Sequence, residues 1–139
     1  MVIRSATERD AAAVAELVVQ LGYPLTAEGA AQRIREIGND EALFTAVVDN
    51  KVVGLIQVSR MTGLEHEPRA EIRALVVDEK QRGGGIGKAL VEKAEAWARE
   101  RGLPMMRVRS NVKRERMRIF YERNGYAVIK TQNVFEKSL

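Results

Sequence analysis

Four glycines in five positions, Gly83, Gly84, Gly85 and Gly87, carry the clearest chemical meaning in this chain. They follow an apolar run, Ala74-Leu75-Val76-Val77, and a polar turn, Asp78 to Arg82, and they open directly into a helical pattern. A strand, a glycine-rich turn and a helix N-terminus together make an anion site. Glycines remove the Cβ atoms that would block a ligand and permit positive φ. The first amides of a helix have no internal partner and point outward with the positive end of the dipole. A phosphate suits that position. Two common glycine patterns fail here. The Walker pattern needs Gly and Ser or Thr where this chain has Arg82 and Ala89. The dinucleotide pattern needs a third glycine where Lys88 or Leu90 stands.

The rest of the composition removes several chemistries. There is no cysteine, so disulfides, Cys-ligated metals and a Cys nucleophile are excluded. The single histidine, His66, leaves no His-based zinc site, and no resident metal is expected. At 139 residues and 45% hydrophobic, the chain reads as one domain over 1–139 with a core of its own. No apolar run approaches a membrane span. The first ten residues lack the apolar centre of a signal peptide, so the expected location is cytoplasmic. Charge is uneven. Residues 1–79 carry 8 basic and 13 acidic side chains, and residues 80–139 carry 15 and 6. The positive half begins at the glycine turn, which suits a polyanionic ligand.

These residues need elements to hold them. Val2-Ile3-Arg4 starts a strand. Thr7-Glu8-Arg9-Asp10 resembles a capping box, and Ala12, Val14, Leu17 and Val18 then recur at helical spacing up to Leu21. Gly22-Tyr23-Pro24 breaks that helix, and Thr26 caps a second over 27–37. Strands 43–48 and 52–60 are joined through Asp49-Asn50-Lys51 as a hairpin. Strand 70–77 precedes the glycine turn. A helix over 84–101 follows, burying Ile86, Leu90, Ala94 and Trp97, and Gly102-Leu103-Pro104 stops it. A strand over 105–109, a helix over 113–123 and a closing hairpin, 126–129 with 133–135, complete the order β-α-α-β-β-β-α-β-α-β-β. The fold class is α/β, a three-layer sandwich around a mixed, mostly antiparallel sheet.

Arg82-Gly83-Gly84-Gly85-Ile86-Gly87 fits R/Q-x-x-G-x-G/A, and the block from Leu75 to Leu90 reads L-x-V-D-x-x-x-R-G-x-G-I-G-x-x-L. Phe120-Tyr121-Glu122-Arg123-Asn124-Gly125-Tyr126 fits F-Y-x-x-x-G-F/Y. Both motifs, in this order and with this element sequence, resemble the GNAT superfamily of acetyl-CoA-dependent N-acetyltransferases. The resemblance covers essentially the full length. It implies transfer of an acetyl group from acetyl-CoA to a primary amine by direct attack in a ternary complex.

The resemblance also implies roles. The amides from Gly83 through Gly84, Gly85, Ile86 and Gly87 to Lys88 would wrap the pyrophosphate, with Arg82 adding charge. The pantetheine arm would lie along the backbone of Leu75, Val76 and Val77, as an added strand does. That edge would be bare because strand 70–77 splays from strand 105–109. The Leu75 N–H would face the thioester oxygen, Tyr121 would protonate the departing thiolate, and Asn111 would touch the cofactor arm. Glu71 matches the base of some members. Strand alternation, taken as regular, puts Glu71, Arg73 and Leu75 on one face. The chain departs from the family at Met117, where a small residue is usual. On the acceptor side, Tyr23 in the loop between the first two helices, Glu65, His66 and Glu67 are candidates, and the identity of the amine stays open. A homodimer is compatible with the family, and neither a nucleic-acid nor a membrane partner is expected.

Plainer readings stand beside these. Leu75 to Val77 are also core, Tyr121 could pack on Phe120, Glu71 could pair with Arg73, and Asn111 could cap the next helix. Two other functions compete with catalysis. One is a non-catalytic acetyl-CoA sensor. The other is a nucleic-acid-binding module built on Arg107, Arg109, Lys113, Arg114, Arg116 and Arg118, although aromatics are only 5% and no stacking array appears.

Overall fold

The order of elements follows from short sequence signals. The computed structural model describes all residues, Met1 to Leu139. They divide into two compact units, Met1–Val108 and Arg109–Leu139. In the first, strand β1 (Val2–Ser5) leads through a 3-10 turn (Glu8–Asp10) into helix α1 (Ala11–Gln20). The Asp10 carboxylate accepts from the Thr7 N–H at 2.8 Å, the returning half of a capping box. It also takes both guanidinium donors of Arg4, at 2.7 and 2.9 Å, which ties β1 to the helix entrance. Helix α2 (Ala27–Arg35) starts at Thr26, whose hydroxyl accepts from the Gly29 N–H at 3.0 Å.

Strands β2 (Glu41–Val48) and β3 (Lys51–Met61) form the expected hairpin. Asp49 and Asn50 sit at φ 49° and 63°, the double left-handed pair of a tight hairpin turn. Strand β4 (Arg69–Val77), helix α3 (Ile86–Glu100) and strand β5 (Met106–Val108) complete the unit. The sheet order is β1-β2-β3-β4-β5, antiparallel except for the parallel β4–β5 pair. Leu55 and Val76 pack with Ala11, Val14, Leu17 and Ala30 of α1 and α2. A Cβ on Gly54 would instead meet Leu90 and Ile86 of α3. Neighbouring strand residues face opposite ways. Helices α1 and α2 therefore cover one face of the sheet and α3 the other. Ile86, Leu90, Ala94 and Trp97 are all buried, as the helical spacing requires. No helix is long and apolar enough to cross a membrane.

The second unit holds helix α4 (Glu115–Arg123) and a stretch without helix or strand. The hairpin expected over 126–135 does not form. Val128 and Ile129 are 65% and 69% exposed, and Val134 and Phe135 are 92% and 90% exposed. The alternation was a fair strand signal, but Lys130-Thr131-Gln132 offers no residue suited to a tight turn. A two-stranded hairpin with nothing beneath it is marginal in water.

Candidate active site

The turn after β4 is positioned from both ends. Asp78 accepts from the Lys80 N–H at 3.2 Å and from the Gln20 side-chain amide at 3.4 Å. The oxygen of the same Gln20 amide accepts from the Glu79 N–H at 3.1 Å, so the end of α1 braces the start of the turn. Gly83 and Gly85 sit at φ 87° and 82°, and a Cβ at either would touch nothing within 4 Å. The space over the turn is open, and only glycine holds that backbone without strain. The first bond of α3 runs from the Ala89 N–H to the Gly85 carbonyl at 3.1 Å. The amides from Gly83 to Lys88 precede it and have no acceptor within the chain. Arg82 and Lys88 are exposed beside them, and Ile86 turns its side chain into the core.

Strand β4 carries the second feature. β5 pairs with it only at Ala70, Glu71 and Ile72, so Arg73 to Val77 have no neighbour on that side. The edge is bare there because β5 ends at Val108. Which amides face the bare edge follows from two bonds. The Ala70 N–H donates toward β5, to the Met105 carbonyl at 2.9 Å. The Asp78 N–H donates toward β3, to the Val53 carbonyl at 2.8 Å. Strict alternation between these two would send every even-numbered N–H the same way. It does not, because β4 carries a bulge. Gln57 pairs with Ala74 and Val58 with Ile72, leaving Arg73 as the extra residue. Counting back from Asp78, the N–H groups of Leu75 and Val77 point away from β3, out of the bare edge, while that of Val76 joins the ladder.

The bulge corrects one expectation. Glu71 and Leu75 do not share a face. Glu71 pairs with Ser59, on the side of Leu55 that α1 and α2 cover, whereas Leu75 pairs with Ile56 on the α3 side. Alternation fails between them because Arg73 adds one residue to the count. Glu71 is 4% exposed, and the Arg73 Nε lies 3.8 Å from its Oε2, so the pairing with Arg73 is real. His66 sits in the loop before β4 with its Nδ1 2.7 Å from the Glu67 carbonyl. Tyr23 is 64% exposed. No cluster of acids and histidines suited to a metal ion occurs.

The second unit presents Tyr121 and Asn111. Tyr121 is buried on α4, edge-on to Phe120 at 5.1 Å and to Tyr126 at 5.6 Å between ring centroids. Burial pushes its hydroxyl up to about 12, against a smaller opposing pull from Arg114. Below that pH it is a proton donor. The end of α4 explains the motif that follows Tyr121. Gly125, at φ 91°, donates to the Glu122 carbonyl at 3.2 Å, and the Tyr126 N–H donates to the Tyr121 carbonyl at 3.0 Å. These two bonds form a Schellman cap, and the Tyr126 ring supplies its usual apolar contact, here on Tyr121 itself. Asn111 accepts from the Lys113 N–H at 2.9 Å, so it turns the chain ahead of α4 rather than capping the helix directly. Met117 is half-buried on the same helix.

A sheet covered by helices on both faces, a fourth strand with a bare edge and a glycine turn of free amides make up the candidate site. The chain matches the acetyltransferase (GNAT) family over residues 12–126. It is 32% identical to the aminoalkylphosphonate N-acetyltransferase of Salmonella typhimurium, over 89% of this chain and 83% of that protein. It is 31% identical to an aminoglycoside N(6')-acetyltransferase type 1 of Stenotrophomonas maltophilia, over 72% and 69%. An uncharacterised N-acetyltransferase of Methanocaldococcus jannaschii is 31% identical over 63% of this chain, a match spanning 40% of that protein's length. Among solved structures, an aminoglycoside 6'-N-acetyltransferase from Acinetobacter haemolyticus superposes with a TM-score of 0.85 at 17% identity, covering 100% and 99% of the two chains. The acetyltransferase AAC(6')-Iy, bound to the bisubstrate analogue CoA-S-monomethyl-acetylneamine, gives 0.87 at 17% identity, covering 99% and 98%. These structures establish the fold. This chain belongs to the GNAT family of N-acetyltransferases.

Proposed function

We propose that the chain moves the acetyl group of acetyl-CoA to a primary amine by direct attack within a ternary complex. One observation carries this reading: the unpartnered amides of Gly83 to Lys88 stand at the end of a strand whose outer edge is bare from Arg73 to Val77. The residues present fit acetyl-CoA, because the amide run suits a pyrophosphate and the bare edge suits the peptide-like pantetheine. When bound, acetyl-CoA supplies an activated acyl group on a thiol that leaves readily.

The protein's own groups would then act as follows. The turn amides donate to phosphate oxygens, and Arg82 and Lys88 add charge. The Val77 N–H and the neighbouring carbonyls hold the arm in register, with the backbone of Val76 locked in the sheet behind them. The Leu75 N–H donates to the acyl oxygen as negative charge builds there, a role worth about 2.7–4 kcal/mol for a fixed donor. Glu71 takes the proton that the amine must lose. Tyr121, protonated throughout the neutral range, gives a proton to the departing sulfur. Asn111 keeps the entrance to α4 in place and adds a contact to the cofactor arm.

The names of the relatives suggest small cationic amines, among them aminoalkylphosphonates and aminoglycosides, as first acceptors to try. The nucleic-acid alternative loses one of its basic residues on α4, since Arg118 is held between Glu115 and Glu122. The test is release of free CoA thiol from acetyl-CoA in the presence of single amines. Amine-dependent release is expected. Tight acetyl-CoA binding with no release for any amine would identify a sensor instead.

A further inference from the structure

The register of the sheet brings a second polar group to Glu71 that sequence reading passed over. Glu41 of β2, Ser59 of β3, Glu71 of β4 and Arg107 of β5 are successive cross-strand partners. Partners of this kind project to the same face, about 4.8 Å apart from strand to strand. Ser59 and Glu71 are the buried members of the row, at 6% and 4% exposure. The Ser59 hydroxyl makes no hydrogen bond within the chain. Its Oγ is not among the fully buried side-chain atoms that lack a partner, so a small polar group can reach it beside the Glu71 carboxylate.

We propose that Ser59 is an acceptor-binding residue whose Oγ accepts a hydrogen bond from the incoming amine beside Glu71. This rests on the acetyl-transfer reading above. An alkylammonium has three N–H bonds. One proton passes to a Glu71 oxygen, which leaves a neutral amine with two N–H bonds and a lone pair, and a neutral Glu71 carboxyl. If Ser59 Oγ accepts from one of the remaining N–H bonds, the nitrogen is held against rotation and its lone pair keeps one direction. A hydroxyl suits this better than a second carboxylate, because it does not raise the cost of leaving the amine neutral. Aligning the nucleophile in this way is a positioning effect on the reacting atom. The ligand class is a primary amine that arrives as a cation.

The experiment compares Ser59→Thr with Ser59→Val. These side chains have nearly the same volume and differ by the hydroxyl, so packing effects cancel between them. Ser59→Ala serves as a third variant, with thermal midpoints measured for all. The probes are benzylamine, 2-aminoethylphosphonate and neamine, and kinetics are taken with the one that wild-type protein acetylates fastest. The expected result is an acceptor KM roughly tenfold higher for the Val and Ala variants than for wild type and the Thr variant. The KM for acetyl-CoA should be the same in all four. Equal acceptor KM for the Thr and Val variants would overturn the assignment, as would an equal rise in the KM for acetyl-CoA. Wild-type protein that releases CoA with none of the three amines would defeat the transfer reading itself, and this inference with it.

Discussion

At the scale of single residues, the proposed proton transfers rest on Tyr121 and Glu71. Tyr121 meets the requirement for an acid, since burial raises its hydroxyl to about 12 and keeps it protonated at neutral pH. Tyr121→Phe removes the proton and keeps the ring contacts with Phe120 and Tyr126. Its kcat should fall roughly 10²–10⁴-fold with acetyl-CoA affinity nearly unchanged. Turnover at the wild-type rate, measured by thiol release, would mean that Tyr121 only packs. Glu71 faces a harder test because Arg73 stands 3.8 Å away as a ready ion-pair partner. Glu71→Gln should lower kcat/KM at neutral pH, and the deficit should shrink as pH rises and more amine arrives neutral. Superimposable pH–rate profiles would exclude Glu71 as the base. A deficit constant with pH would make it a binding carboxylate instead.

At the scale of elements, much was legible in advance because the signals are local. The Thr7 box, the Thr26 cap, the Asp49-Asn50 turn and the buried stripe of α3 each depend on residues within one or two turns of chain. The bulge at Arg73 was not legible. It depends on how β4 registers against β3, and nothing in Ile72-Arg73-Ala74 marks an extra residue. That one residue turned the Leu75 amide to the bare edge and parted Glu71 from Leu75 across the sheet. Ser59 was passed over for the same reason, since only the register places it opposite Glu71. The closing hairpin failed where alternation was read without a strand to pair against.

Two predictions belong at this scale. Gly125→Ala forces a Cβ onto the φ 91° cap that fixes Tyr126 against Tyr121, so it should lower kcat as well as the thermal midpoint. A wild-type kcat would separate the cap from the chemistry. The Arg4 hydrogen bonds hold the Asp10 carboxyl below its ordinary value of 3.8. Stability from this pair is therefore present above that pH and is lost as pH falls through the lower folded value. Arg4→Met should flatten the acid limb of a midpoint-versus-pH curve below about pH 4. An unchanged acid limb would show that the pair contributes nothing.

At the scale of the whole molecule, charge and fold agree. The acidic excess lies before residue 80 and the basic excess after it, so the turn amides open the positive part of the chain. Family membership explains the fold, and the bare strand edge and free amides explain how such a fold can hold a CoA ester. The central claim is that Gly83 to Lys88 bind the phosphates of acetyl-CoA. Calorimetric titration of acetyl-CoA into wild-type protein and into Gly85→Val tests it most directly. Valine at φ 82° strains the turn and blocks the open space above it. The account predicts measurable wild-type binding that weakens with added salt, and loss of binding in Gly85→Val with the thermal midpoint largely kept. Equal affinity in the two proteins would contradict it.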